Sequence, residues 1–353
     1  MAGISAIRKA GHDLSVPVQN LIKTCMGLIL LSACLVPAKA CRLDEHLPAS
    51  AAPFEIVVLS DIHLRIPGFS DDGFFDNQRN MANLMLTVDL INENYTEADF
   101  VAVTGDLVGC LFSEDPDDYL SGGDNPAETF RNLLDHLVLP YYAALGNHDY
   151  HIGFDPVAKE PVLTRDPSSV EAVWKKVLGV DPYYAFVHKG IQMIFLNSNR
   201  GHSMYVPCTD TGTETLCMGS FDAQQMDWLE SRLQNPEPAI LFCHHPPASG
   251  IGTLDSVIVD AMFSSGMSID TNDRFYDIAA CHRHQILAVF SGHWHMWREF
   301  TLFDTIKVYQ TGPVGDYWSS GENMAVVTID PVRKTVDVRR HRVSYLVQMQ
   351  PEW

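Results

Sequence analysis

Residues 54–63 read FEIVVLSDIH: a short, mostly apolar run, then an aspartate and a histidine two positions apart. The same phrasing returns as FVAVTGD at 100–106, YYAALGNHD at 141–149, AILFCHHP at 239–246 and ILAVFSGHWH at 286–295. Each opens with a run rich in Val, Ile, Phe or Tyr (54–59, 100–104, 141–145, 239–243 and 286–290), which reads as a buried strand. Each closes on a carboxylate, an imidazole or an amide.

Between these runs lie helical patterns. Residues 80–93 place Met81, Leu84, Met85, Val88 and Ile91 on one face, and 126–137 and 222–233 behave alike. Strands alternating with helices indicate the α/β class. Two further strand pairs appear, 183–188 with 192–197 around the turn Lys189-Gly190, and 324–329 with 335–340 around Asp330-Pro331. They predict a second, more antiparallel sheet packed on the first. No linker-like composition follows residue 54, so 54–353 reads as one catalytic domain, after an export segment at 1–40 and a short linker at 41–53. Four long polar stretches, 112–128, 150–169, 199–220 and 248–273, are of a length that is usually functional.

In open α/β sheets, ligands bind beyond the carboxyl ends of the strands. Five strands would therefore deliver Asp61, His63, Asp106, Asn147, His148, Asp149, His244, His245, His293 and His295 to one rim. A lone histidine after a strand is usually an ordinary core or surface residue; five such endings together are not. Side chains at i and i+2 of a strand share a face, which predicts that Asp61 joins His63 and that His293 joins His295. Glycines before Asp106, Asn147 and His293 permit tight turns and close backbone approach. Oxygen and imidazole donors without thiolate suit Mn, Fe or Zn.

The series D-x-H, G-D, G-N-H-D, H-x-P and G-H-x-H, in that order across 61–295, resembles the calcineurin-like metallophosphoesterases. It is similar in particular to the bacterial branch that includes class III cyclic-nucleotide phosphodiesterases. The resemblance implies a four-layer α/β/β/α sandwich with two mixed sheets, the metal site at the carboxyl ends of the strands, and two divalent or trivalent metal ions. Carried over, Asp61, His63 and His295 would hold one ion, Asn147, His244 and His293 the other, and Asp106 would bridge them, with His245 as the fallback for His244. His148 matches the residue that stabilises or protonates the leaving group. Asp149 would orient His148, or else cap a helix start or stand as a surface charge.

Two cations about 3.5–4 Å apart neutralise a bound phosphate and generate a bridging hydroxide that attacks phosphorus. The expected function is hydrolysis of small phosphodiesters or phosphomonoesters, with diesters favoured. A nuclease of the same superfamily and a surface-anchored metal- or phosphate-binding protein are the alternatives. Leu107, Val108 and Gly109 follow Asp106 and leave no tyrosine for a purple tyrosinate site. No G-x-S-x-G element follows a strand, which excludes a serine hydrolase of that type.

Against 44 acidic residues stand 24 basic ones, a net charge of −20, which disfavours nucleic-acid partners. The expected partner is a small phosphate ester. Arg8, Lys9 and Lys23 precede the apolar stretch 25–36, too short to span a bilayer stably and read as a signal-peptide core. Leu31-Ser32-Ala33-Cys34 resembles a bacterial lipobox, which would lipidate Cys34. Ala38-Lys39-Ala40 suits ordinary cleavage, and an uncleaved anchor is the plainer alternative. The expected location is the bacterial periplasm, or the membrane through a lipid on Cys34. In an oxidising compartment Cys208 and Cys217 could pair, while Cys110, Cys243 and Cys281 read as inert core thiols. Trp294, Trp297, Tyr317 and Trp318 would either stack on substrate or pack the core, and His282 and His284 read as surface residues.

Overall fold

In the computed structural model, the residues described are 52–64, 77–111, 125–155, 160–164, 166–201, 218–248, 267–315 and 322–343. The export segment with Cys34, the Cys208 and Cys217 pair, Tyr317 and Trp318 lie outside them. In chain order the described residues form β1 (Phe54–Leu59), α1 (Asn77–Asn94), β2 (Val101–Val103), α2 (Pro126–Leu134), β3 (Tyr141–Ala143), a 3-10 turn (His148–Tyr150), β4 (His151–Asp155), β5 (Glu160–Leu163), α3 (Pro167–Leu178), β6 (Tyr184–His188) and β7 (Ile191–Phe195). There follow α4 (Ala223–Arg232), β8 (Ala239–Phe242), α5 (Phe275–Cys281), β9 (Ile286–Ser291), β10 (Arg298–Leu302), β11 (Ile306–Gln310), β12 (Met324–Asp330) and β13 (Thr335–His341).

Local chemistry sets the helix ends. Asn125 caps α2 by accepting from the Glu128 amide at 2.8 Å, with Pro126 at the first helical position. Asp222 caps α4 the same way through the Gln225 amide at 2.7 Å. α3 starts on Asp166 and ends on Gly179, whose φ of 73° takes the left-handed C-terminal cap.

Two large sheets result. The five-stranded sheet runs β13-β12-β1-β2-β3 and the six-stranded sheet runs β10-β11-β9-β8-β7-β6. β1, β2 and β3 are mutually parallel, as are β7, β8, β9 and β11. Antiparallel strands close the edges: β12 and β13 on the first sheet, β6 and β10 on the second. This corrects the expected division of labour. The two sequence-predicted hairpins do not make a sheet of their own; each is the antiparallel margin of a different mixed sheet. The five ligand-bearing strands are likewise split, three in one sheet and two in the other. The period-two pattern fixes which side of a strand is apolar, not which sheet receives it.

The strands' alternation builds three apolar layers. Val57 and Leu59 of β1 join Leu84, Val88 and Ile91 of α1, Phe130 of α2 and Trp174 of α3 on the outer face of the first sheet. Leu241 of β8 and Val289 of β9 join Met226 and Leu229 of α4 and Ile278 of α5 on the outer face of the second. Ile56, Val58, Phe100, Phe195, Ile240, Phe242 and Phe290 pack between the sheets. The order is α/β/β/α, as expected.

Within the middle layer a ladder of rings crosses five strands at matched register. Tyr184 stacks on Phe195 at 4.9 Å, Phe195 on Phe242 at 4.6 Å, Phe242 on Phe290 at 5.7 Å and Phe290 on Tyr309 at 5.3 Å. The ladder lies two residues before His244 and three before His293, so it forms a stiff floor beneath the strand ends.

Some elements escaped the sequence reading. The polar stretch 150–169 contains the β4–β5 hairpin and the start of α3, and β10–β11 form a hairpin turned by Phe303 and Asp304, both left-handed. Cys110 and Cys243 are buried as expected, and burial pushes the Cys243 thiol up to about 12, which keeps it inert. Cys281, in contrast, is exposed at the end of α5. His282 is buried, bonded to Gln285 at 3.1 Å.

Phe242 sits at the centre of the ring ladder with no exposure. Phe242→Ala should therefore cost about 3–5 kcal/mol of unfolding free energy, read from the midpoint and slope of urea denaturation.

Candidate metal centre

The loop after β1 is bonded to the loop after β2 beyond the end of both strands. The Asp61 amide donates to the Gly105 carbonyl at 3.0 Å, and the amides of Ile62 and His63 both donate to the Asp106 carbonyl, at 2.8 and 2.9 Å. The second sheet joins across the middle layer. The His293 amide donates to both Asp61 carboxylate oxygens at 3.1 Å, while within the first sheet the His148 amide, after β3, donates to Asp106 Oδ1 at 2.8 Å.

The backbone here is unusual. Asp61, His63, Asp106, His293 and His295 all have positive φ, between 51° and 77°, a region that non-glycine residues rarely enter. Strand alternation was expected to bring Asp61 beside His63 and His293 beside His295. The pairs do converge, but these residues have left the strands, and left-handed turns rather than pleating aim their side chains. Gly105, with φ 105°, lies so close to His244 and Gly146 that a Cβ would collide with both. Gly292 is packed as tightly against Ser60 and Asp61.

Seven predicted ligands meet in one buried place, none more than 8% exposed. Six of them fall into two groups whose donor atoms lie within 4.8 Å of one another: Asp61, His63, Asp106 and His295, and Asp106, His244 and His293. Asp106 belongs to both. Its Oδ2 lies 3.6 Å from His63 Nε2 and 3.1 Å from His244 Nε2. In the first group His63 Nε2 faces His295 Nε2 at 3.0 Å, and His295 Nε2 lies 3.3 Å from Asp61 Oδ1. In the second, Asn147 Oδ1 stands 3.0 Å from both His244 Nε2 and His293 Nδ1.

His244 Nδ1 lies 3.0 Å from the Thr104 carbonyl. A carbonyl cannot donate, so Nδ1 carries a proton and Nε2 is the ring atom that faces the cluster. His245 instead bonds Ser198 Oγ at 2.8 Å and lays its ring 4.4 Å from that of His293. The structure thus brings His244, not the fallback, to the cluster.

Lone pairs and carboxylates packed this closely repel unless a positive charge lies among them. In the protein alone, protons supply it. His244 is driven up to about 9: burial opposes its charge, but Asp106 and Asp61 outweigh burial. Burial pushes His293 well below its ordinary value, helped by the imidazoles of His245 and His244, so its lone pair stays available. Burial raises Asp106 more than His244 lowers it, and Asp61 adds to the rise. Asp61 ends below its ordinary value because the His295 and His244 imidazoles outweigh burial. This oxygen-and-imidazole set, free of thiolate, fits a hard or borderline divalent cation.

Asp149 corrects its expected role. Its carboxylate does not bond the His148 ring. Oδ1 accepts from the Val108 amide at 3.0 Å and Oδ2 from the Gly146 amide at 2.7 Å, and the side chain is wholly buried. It ties the loop after β2 to the loop after β3. Burial, then Asp106, holds it well above the usual carboxylate range. The His148 ring is partly buried, with Nδ1 3.4 Å from the Gly109 carbonyl. Trp294 is walled in, donating to the Met267 carbonyl at 2.6 Å beneath the Arg298 guanidinium at 4.7 Å. Core packing is therefore its role. Trp297 packs against the middle layer and donates to Glu299.

Supporting residues were missed in the sequence. Asn80 of α1 donates to the His63 carbonyl at 3.0 Å. The run Asn197-Ser198-Asn199, at the end of β7, places Ser198 on His245 and has Asn199 donate to the Leu145 carbonyl at 2.9 Å. An apolar run followed by polar residues signalled this strand end as it did the other five, but amides and a hydroxyl do not stand out as ligands.

Residues 54–297 match the profile of the calcineurin-like phosphoesterase family. A probable cyclic nucleotide phosphodiesterase from Synechococcus is 27% identical over 197 residues, covering 54% of this chain and 62% of that protein. A 3′,5′-cyclic-nucleotide phosphodiesterase from Nostoc is 25% identical over 215 residues, covering 59% and 60%. The matched part of this chain thus spans less than two thirds of either relative. Among solved structures, a dimetal phosphatase from Danio rerio superposes with a TM-score of 0.55 at 14% identity, covering 82% of this chain and 97% of that one; it shares the fold.

Two outcomes follow from the geometry. Between pH 6.5 and about 9 the metal-free His244 holds a proton that must leave before Nε2 can take a cation. Manganese or zinc binding should therefore release protons and tighten as pH rises through this window, which calorimetry in buffers of different ionisation enthalpy reads directly. Asp149→Ala should weaken metal binding about 10–100-fold while far-UV circular dichroism stays unchanged, because it frees two ligand loops without removing a ligand.

Proposed function

This chain belongs to the calcineurin-like phosphoesterase family, which consists of metal-dependent hydrolases, and from that premise we propose that it is a dinuclear hydrolase of small phosphate esters that favours diesters. The observation that carries the reading is the shared carboxylate: two donor groups meet at Asp106, and one oxygen, Oδ2, faces both. Asp61, His63 and His295 would hold one ion, and Asn147, His244 and His293 the other. Two such ions supply charge for the phosphate oxygens and a water acidic enough to act as nucleophile near neutral pH. The ions are drawn from Mn, Fe and Zn; Leu107 after Asp106 offers no phenolate for a ferric tyrosinate site.

The protein's own groups do the rest. Asp106 keeps Oδ2 inward because Oδ1 is engaged by the His148 amide. The same contact sets the His148 backbone directly beside the shared carboxylate. His148 Nδ1 faces the Gly109 carbonyl, which leaves Nε2 to serve the leaving oxygen; to deliver a proton there the ring must be the imidazolium, with Nε2 protonated as well as Nδ1. Its ring stands 4.6 Å from that of His63, at the edge of the first donor group. The preference for diesters draws support from the cyclic-nucleotide phosphodiesterases among the relatives.

We further propose that the protein is exported, on the strength of Arg8, Lys9 and Lys23 before the apolar stretch 25–36, with Cys34 or Ala40 as the exit.

The test is one set of measurements on protein purified from its native cell envelope. Two metals per chain, bis(p-nitrophenyl) phosphate cleaved faster than p-nitrophenyl phosphate, and an intact mass beginning at a lipidated Cys34 or at Cys41 are expected. Asp106→Ala should lose both metals together. Full metal content in that variant overturns the shared-carboxylate reading, a faster monoester overturns the diester preference, and an intact Met1 overturns export with cleavage.

A further inference from the structure

A group that delivers a proton to a leaving oxygen has to hold its ring at a fixed angle, because misplacement by about 1 Å can cost on the order of 100-fold in rate. The hydrogen bond from His148 Nδ1 to Gly109, at 3.4 Å, is too long to fix that angle alone. Two imidazole rings pack against His148 as well. The His63 ring meets it edge to face at 4.6 Å and 87°, and the His151 ring meets it at 4.5 Å and 64°. His63 is itself braced by the His295 ring at 4.9 Å.

His151 is 2% exposed and opens β4. Its carbonyl accepts from the Leu111 amide at 2.7 Å, and it pairs with Leu163 across the hairpin. The preceding Tyr150 is anchored too: its carbonyl accepts from the Thr164 amide at 3.1 Å and its hydroxyl donates to Glu171 at 3.0 Å. The β4–β5 hairpin therefore holds one imidazole firmly against another.

We propose that His151 is a positioning residue that fixes the ring of His148 through edge-to-face packing, and that holding it there is the purpose of the β4–β5 hairpin. The proposal rests on the reading of His148 as the group serving the leaving oxygen.

The test compares His151→Ala, His151→Phe, His148→Ala and the double variant His148→Ala/His151→Ala, all loaded with manganese and checked for metal content. His151→Ala should lower kcat about 10–100-fold on diesters with an alkoxide leaving group. KM and metal content should hold, and aryl esters should be affected far less. His151→Phe, which keeps a flat ring in the slot, should retain most of the rate. The double variant should be no slower than His148→Ala, because His151 acts through His148. Independently of activity, imidazole ¹⁵N spectra should show the His148 signals broadened in His151→Ala and sharp in His151→Phe. Wild-type rates on alkoxide esters in His151→Ala, or a double variant slower than His148→Ala by the full His151 factor, overturn the proposal. If His148→Ala itself shows no leaving-group dependence, the reading of His148 fails, and the His148 spectra alone decide whether His151 orders that ring.

Discussion

The constraint on which this structure depends is electrostatic: two carboxylates, four imidazoles and an amide oxygen point their donor atoms into one buried volume. Asp106 Oδ2 and His244 Nε2 approach to 3.1 Å, and His63 Nε2 and His295 Nε2 to 3.0 Å. Such a cluster would be stabilised by a bound cation, because unpaired charge in a region of low dielectric is costly. The neighbouring carboxylates push the His244 imidazole up, while burial and the other imidazoles push His293 down.

Convergence of this kind has a conformational cost that the scaffold must carry. Asp61, His63, Asp106, His293 and His295 sit in left-handed backbone, at about 1–3 kcal/mol each for residues held in such regions. The loops tolerate this because they are overdetermined. Asp61 receives the His293 amide from the opposite sheet, His63 is held by Asn80, and Asp149 clasps the two loops that carry Asp106 and Asn147. Beneath them the ladder from Tyr184 to Tyr309 locks the strands of the second sheet in register. Strain at the site is thus offset by packing two residues away.

The remaining elements serve the rim rather than the core. β4–β5 brings His151 against His148, and the strand end after β7 brings Ser198 against His245, which in turn packs on His293. His148 and His293 therefore each pack against an imidazole that is outside the predicted ligand set.

The sequence by itself determined the five apolar strands that end in donor-type residues, the two hairpin pairs, the helices α1, α2 and α4, and the Lys189-Gly190 turn. Those features are local: Lys189 and Gly190 adopt φ of 48° and 84°, the left-handed pair that a two-residue hairpin turn requires, and an apolar run ending in Asp or His is legible without knowing its neighbours. The family resemblance added the partition of ligands, and the two donor groups fall along the same division. Tertiary structure alone decided which sheet each strand joins, that left-handed turns rather than strand pleat aim the ligands, that Asp149 binds backbone instead of His148, and that His151 lies against His148. The reason is physical: period-two and period-3.6 patterns record which side of an element is apolar, whereas the partner of a buried polar group is set by chain segments far away in sequence, as between Asp61 and His293.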